Sequence, residues 1–213
     1  MNAGRLQVDV LGDLTEEEAE KFVYGDGVAG GWPGIINGPY ESDTVPPGAQ
    51  EQWPAIYERC GGNIALLERC VAEARAWGNW DSALVGVVAG FTDTILRGFE
   101  PDVYTVQGGE APLWTKRQWK MVLERITTAP YHAVSERKIE KELGQESEEE
   151  GYIILLSMQK YNLLEVRPYS PGESDLDLPQ EVFGKLLTPV VTLPSPAHVW
   201  AAKAVLKAMN ASG

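Results

Sequence analysis

The sequence predicts a mainly α-helical protein that also contains a small antiparallel β-sheet near its C-terminal end. Apolar residues recur at spacings of three and four in several segments, most clearly over 64–77, as in amphipathic helices. After Leu113, three helical segments precede two short candidate strands at 163–167 and 189–193. Three helices followed by strand, loop and strand is the order of a winged helix. The predicted fold is therefore a helical bundle followed by a winged-helix domain.

The composition limits the partners that this chain can bind. Its 213 residues are 44% hydrophobic, which suffices for one large or two small packed domains. It has 31 acidic and 18 basic residues and a net charge of −13. Because phosphate contacts need clustered Lys and Arg, this balance argues against nucleic acid and against an anionic membrane surface. A local basic face would remain compatible with it.

The hydrophobic segments indicate an intracellular protein, although they leave its compartment open. The longest apolar stretch, 83–99, is interrupted by Gly, Asp and Arg, so we expect no membrane span. The N-terminus lacks a basic start followed by an apolar secretory core. The only cysteines, Cys60 and Cys70, fit a reduced compartment, and a disulfide between them is the less favoured alternative.

The first domain, 1–100, begins with a predicted strand at 5–11, where polar and apolar residues alternate. Thr15 then caps a helix that runs to about Val23, and Glu18 completes a capping box. The next predicted helices cover 51–60, which Gly61 and Gly62 end, and 64–77, which Asn63 caps. Asp81 is predicted to cap a further helix of this bundle.

A long Gly- and Pro-rich loop is predicted at 25–50. Loops of this length in a compact domain are often functional or disordered. An insertion is the simpler interpretation. Trp32 and Tyr40 within the loop, and Trp53 just after it, are candidate interaction residues, because exposed aromatic side chains often anchor protein interfaces.

Residues 101–113 contain Pro and paired Gly and are the predicted linker to a second domain, 114–213. That domain is predicted to contain a winged helix and a C-terminal helix. Its predicted helices are 115–127, 135–143, 148–161 and 197–209, and 169–179 is the predicted wing loop.

The third helix of a winged helix normally reads nucleic acid, but here its first turn is acidic. Glu148, Glu149 and Glu150 would face phosphates directly, and the apolar run 153–156 is typical of a packed segment. We therefore favour protein packing over nucleic-acid reading. The alternative, a nucleic-acid-binding winged helix, depends on whether the cations of this half share one face; a solvated face offset by nearby Glu is the simpler interpretation. Those candidate contacts are Arg137, Lys138, Lys141, Lys160 and Arg167.

No constellation in the sequence identifies a reaction, so we predict no catalytic, cofactor-binding or metal-ligating residues and no enzyme. A phosphate-binding Gly-x-x-x-x-Gly-Lys loop and a Gly-x-Ser-x-Gly elbow are both absent. Cys60 and Cys70 are interpreted as core thiols, and the two histidines stand alone. Asp175 and Asp177 are interpreted as turn residues rather than as an acid pair or cation site.

Two segments of the chain resemble a known family. Glu16–Ala19, after a strand-like segment at 8–15, and Gly61–Leu67 resemble the C-terminal part of archaeal-type and STAND-class P-loop ATPases. In that family a helical lid carries a Gly-Gly-x-Pro motif near the nucleotide, and a winged helix follows. Ile64 takes the place of the proline, and both Walker motifs are absent.

In outline the resemblance covers nearly the whole chain. It implies a lid plus winged helix without the nucleotide-binding core, which would not hydrolyse ATP alone and would need no cofactor. Its implied role is regulatory, with a protein partner or the ATPase core of a larger chain as the surface that it contacts.

Overall fold

A computed structural model describes residues 14–28, 31–37, 45–103, 111–144, 147–169 and 178–211 of the chain. Within these ranges the protein is mainly helical and has one small antiparallel sheet, which confirms the predicted fold class. The predicted strand at 5–11, the candidate Tyr40, the pair Asp175 and Asp177, and most of the predicted wing loop lie outside the described residues.

The helices agree closely with the periodicity of the sequence. The bundle contains α1 Glu16–Tyr24, α2 Ala49–Cys60, α3 Ile64–Trp77 and α4 Trp80–Gly98. The winged-helix half contains α5 Lys116–Thr128, β1 Ala133–Ser135, α6 Glu136–Leu143, α7 Glu148–Lys160, β2 Glu165–Arg167 and β3 Val190–Thr192. The last helix is α8 Pro196–Ala211, and short 3₁₀ turns cover Pro101–Val103, Pro130–His132 and Gln180–Phe183.

The predicted helix caps are confirmed in two cases and wrong in one. Thr15 and Glu18 form the capping box of α1, and the Asn63 side chain accepts the Leu66 N–H at 3.1 Å. Asp81 does not cap α4. Asn79 does, because its extended backbone lets its side chain accept the Ser82 N–H at 2.7 Å, two residues earlier than predicted.

The sheet has the strand order β1-β3-β2, and both pairings are antiparallel. Val191 at its centre pairs with Val134 on one side and Val166 on the other. The sequence analysis did not predict β1, which has only three residues and lies directly against a helix. The order α5, β1, α6, α7, β2, β3 is that of a winged-helix-like domain.

Two large apolar clusters form the core, and α4 and α8 contribute to both. One cluster fills the bundle and includes Ala197 of α8. The other surrounds the fully buried Trp119 in the winged-helix half and includes Ile95 of α4 and Ala201 of α8. Helix α8 packs on α2, α4 and α5. The division at 101–113 stays a prediction, since 104–110 are outside the described residues.

Candidate functional site

Helix α7 occupies the position of the reading helix in a winged helix, and its two faces differ. Ile154, Leu155 and Met158 are buried in the winged-helix core. Gly151 lies against the backbone of Glu140, where a Cβ atom would collide with the carbonyl group. This glycine allows α6 and α7 to approach closely, so one side of α7 serves only the interior.

The opposite side of α7 exposes large apolar side chains. Tyr152 and Ile153 are each 46% exposed, Leu156 is 42% exposed, and the neighbouring Leu113 is 52% exposed. We call these four residues the α7 apolar face. The prediction that 153–156 pack internally is confirmed for Ile154 and Leu155 and wrong for Ile153 and Leu156. Four consecutive helical residues spread over about 300° around the helix axis and cannot share one face.

Leu113 is held beside α7 by its neighbours. Its backbone N–H donates to the buried Ser157 hydroxyl at 3.1 Å. The next residue, Trp114, is buried, donates its indole N–H to the Gly98 carbonyl at 2.9 Å and packs edge-on against Tyr161. Grooves of about 420 Å³ and about 270 Å³ flank Leu113 and Ile153. The α7 apolar face is therefore a preformed ridge between two grooves.

The charge beside this face is negative at the start of α7. The Ser147 hydroxyl accepts the Glu150 N–H at 3.1 Å, and Glu148–Glu150 lie in the first turn. Glu149 and Glu150 line the larger groove, whereas Lys160 lines the smaller one at the far end of the helix. A nucleic-acid backbone at this face would meet carboxylates and apolar groups.

The cations of α6 alternate with carboxylates. Arg137, Lys138 and Lys141 are exposed on a helix that also carries Glu136, Glu140 and Glu142. Burial, with the nearby Glu136 and Glu148 carboxylates, raises the pKa of Glu140 above its usual range. Glu142 is paired with Arg125 of α5, whose Nε lies 2.7 Å from its Oε2. This surface carries both signs of charge.

The two remaining candidate cations lie in different places. Lys160 borders the groove beside Leu156, whereas Arg167 borders a separate pocket formed with β3 and α8. The structure thus places Lys160 and Arg167 in separate pockets and the other three cations on α6, among acidic residues.

The aromatic candidates of the first domain differ in exposure. Trp32 is 49% exposed, stacks on Phe22 at a centroid distance of 6.2 Å, and donates its indole N–H to the Phe22 carbonyl at 3.1 Å. Trp53 is buried between the rings of Tyr24 and Tyr57. Trp53 is therefore a core residue, and its interpretation as a contact residue is corrected, because a helix face packed on two aromatic rings cannot meet a partner.

The thiols of the two cysteines lie in the interior. Cys60 and Cys70 are buried free thiols, as predicted for core residues, and a hydrogen bond with Cys70 together with burial raises the pKa of Cys60. In the part of the chain that the structure describes, no three or more His, Cys, Asp or Glu side chains cluster as metal ligands. Across the same residues, no helix combines the length and apolarity that crossing a bilayer requires.

A second site, which the sequence analysis missed, lies where the bundle meets the winged helix. It is a pocket of about 370 Å³ bordered by α2, β2, β3, α8, the turn before β1 and the chain segment before α8. We call it the junction pocket. Its residues come from six separate parts of the sequence, and no sequence motif links them. Tyr131 and His132 have positive φ in the turn before β1, but this backbone conformation cannot be read from the sequence.

No protein-family model, curated protein or solved structure matches this chain.

Proposed function

We propose that this chain is a non-catalytic protein-interaction region whose winged helix binds a partner protein through the α7 apolar face. The observation that carries the proposal is the surface of α7, where a nucleic-acid reader would carry cations. This helix instead presents Tyr152, Ile153 and Leu156 beside Leu113. Exposed apolar groups that are contiguous and held in place are typical of protein contact sites.

The charges around this face specify the partner's chemistry. The acidic first turn of α7, Glu148–Glu150, borders the larger groove, and the whole chain carries a net charge of −13. A partner segment with apolar side chains at helical spacing and Lys or Arg at its flanks would match both features. We propose this kind of segment as the occupant of the face.

The proposed biological role is regulatory. The resemblance of Glu16–Ala19 and Gly61–Leu67 to the lid and winged helix of STAND-class ATPases supports an ATPase core as the partner. In that family these parts fold back on the nucleotide core and hold it inactive. Apolar packing that a conformational change can release would supply the physical basis of such control.

A defined peptide pair tests the docking proposal. The probe is a synthetic amphipathic helix with a Leu stripe and Lys flanks, compared with the same helix with Glu flanks, and binding is measured by fluorescence anisotropy. We expect the Lys-flanked peptide to bind with an affinity that falls as salt rises. The Ile153→Glu/Leu156→Glu variant should weaken this binding by at least about tenfold, since two exposed apolar side chains that the peptide would cover are replaced by charges.

Val85→Glu is the matched control, because Val85 is also a highly exposed apolar residue but lies on α4. Equal loss of binding in this control and in the α7 variant, or equal binding of the two peptides, would contradict the proposal.

Two further measurements test the regulatory role and the nucleic-acid alternative. Micromolar ATP binding by this chain alone would exclude the core-less regulatory role, and a gel shift with DNA or RNA at low salt would favour the nucleic-acid alternative.

A further inference from the structure

The junction pocket has the size and position of a ligand site. Its volume of about 370 Å³ falls within the roughly 300–1,000 Å³ of known small-molecule pockets, which often lie between structural units. Leu193, Pro196 and Val199 supply apolar surface to its lining. None of the residues of the α7 apolar face borders this pocket, so the two surfaces are separate.

One residue of this lining, Thr192, has a buried hydroxyl group that makes no hydrogen bond within the described part of the chain. Thr192 is 6% exposed, and its hydroxyl oxygen is buried without a hydrogen-bond partner among the described residues. Leaving such a group unpaired is costly, because burial removes its hydrogen bonds to solvent. Thr192 lines the pocket, so a change of its χ1 rotamer would bring the hydroxyl to a polar group of a molecule bound beside β3.

A second feature is a Lys–His pair at one side of the pocket. The Lys203 ammonium lies 3.2 Å from His132 Nε2, and His132 Nδ1 lies 3.3 Å from the Ile126 carbonyl oxygen. The Nδ1–H therefore donates to this carbonyl, and Nε2 accepts from Lys203. Burial and the charge of Lys203 lower the pKa of His132, which keeps the ring neutral. Among the described residues Lys203 forms no salt bridge, so its charge is available to an anionic group.

Two carboxylates face the same pocket from other elements. Glu58 belongs to α2 and Glu165 to β2, and in the described part of the chain neither forms a salt bridge. Tyr57 and Tyr131 also line the pocket, whereas the Trp200 ring is already covered by the Arg59 guanidinium at 4.7 Å. Carboxylates beside aromatic rings favour a cationic group.

We propose that the junction pocket binds a small zwitterion of the amino-acid or dipeptide type. Its carboxylate would contact Lys203, its ammonium would contact Glu58 or Glu165, and a polar group along its length would pair with the Thr192 hydroxyl. Lys203 and Arg167 bring positive charge to the lining, and Glu58 and Glu165 bring negative charge. A lining with both signs of charge favours a zwitterion over a simple anion, which the net charge of −13 also repels. Such a ligand would connect the bundle to the winged helix, because its two ends would contact both.

Calorimetric titration with the standard free amino acids and a panel of dipeptides tests this inference, with NMR spectra of the protein as a second readout. The tightest ligand is then compared with its N-acetylated and C-amidated forms. We expect Lys203→Met to weaken binding of the zwitterion by at least about tenfold, because a charged hydrogen bond is lost. The affinity for the C-amidated form should not change. Lys207→Met, one turn further along α8, is the control and should change neither affinity.

The substitution Thr192→Val separates a binding role from a structural one. It should weaken ligand binding while leaving the free energy of unfolding unchanged or raised, since the hydroxyl has no hydrogen-bond partner among the described residues. Ile153→Glu/Leu156→Glu should leave ligand affinity unchanged, which distinguishes failure of this inference from failure of the proposed docking. No binding at millimolar concentration, equal effects of Lys203→Met and Lys207→Met, or tighter binding of the N-acetylated form would overturn the inference.

Discussion

His198, at the scale of single residues, links the stability of the fold to pH. It lies in the first turn of α8, with Nδ1 2.8 Å from the Ser195 hydroxyl oxygen and its ring edge-on to Phe91 at 4.6 Å. Burial lowers its pKa to about 4, from an ordinary value of 6.5. The folded protein therefore holds a neutral imidazole where the unfolded chain would bind a proton.

This difference predicts acid destabilisation in a defined window. Above about pH 6.5 the imidazole is neutral in both states, and His198 does not lower the free energy of unfolding. As the pH decreases toward about 4, the free energy of unfolding falls, because the unfolded state takes up the proton first. The loss from this group is about 3 kcal/mol. Urea denaturation at several pH values measures it, and His198→Gln should flatten the dependence. His132, whose pKa is also lowered, would leave a smaller slope of the same sign. An unchanged slope in the variant would contradict this assignment.

The turn between α2 and α3 shows why particular elements need particular residues. Gly61 has φ of +57° and ends α2, while its position against the Pro196 ring leaves no space for a side chain. Gly62 accepts the Leu14 N–H at 3.0 Å through its carbonyl, and a Cβ atom there would collide with the Leu14 backbone. Sequence indicated a helix stop here, but the reason for the second glycine is a tertiary contact.

A pair of glycine substitutions tests this distinction. Gly62→Ala should destabilise the protein by about 3 kcal/mol or more, because two backbone segments must separate. Gly90→Ala, inside α4 with no atom close to the added Cβ, should stabilise it by roughly 0.5–1 kcal/mol through lower chain entropy. Thermal denaturation monitored by circular dichroism measures both. Destabilisation of similar size in the two variants would contradict the role given to the close backbone contact at Gly62.

Helix α7 shows how far an element can be predicted from its sequence. Its bounds, to within one residue, and its acidic first turn follow from local patterns, and both are found. Which of its apolar residues remain exposed does not, because that depends on where α5, α6 and the segment at Leu113 cover it. Strand β1 was missed for a related reason, since three residues carry no readable alternation and acquire strand structure by pairing with β3.

For the whole molecule, the main feature is the contact between the bundle and the winged helix. Trp119 donates its indole N–H to the Ile95 carbonyl at 3.0 Å, and Trp114 donates to that of Gly98 at 2.9 Å. Trp114 lies just before α5 and Trp119 lies within it, and both indoles bind carbonyl groups near the end of α4. Carbonyl groups in the last turn of a helix have no hydrogen-bond partner within that helix. Helix α8 then packs on α2, α4 and α5.

These shared contacts predict that the chain unfolds as one cooperative unit. We expect a single thermal transition, coincident by circular dichroism and tryptophan fluorescence, with equal calorimetric and van't Hoff enthalpies. Separate fragments 1–113 and 114–213 should each lack a cooperative transition, because the first loses α8 and the second exposes the α8 surface that packs on α4. Two resolved transitions in the full chain, or a folded fragment, would contradict the prediction.

The sequence by itself determined the helices, several of their caps and the order of α5, α6, α7, β2 and β3, because these depend on spacings of a few residues. Tertiary structure alone decided that Trp53 is buried, that Ile153 and Leu156 face solvent, and that Thr192, Lys203, Glu58 and Glu165 border one pocket. Periodicity reports which residues share one face of an element. It does not report what covers that face, since the covering residues lie far away along the chain.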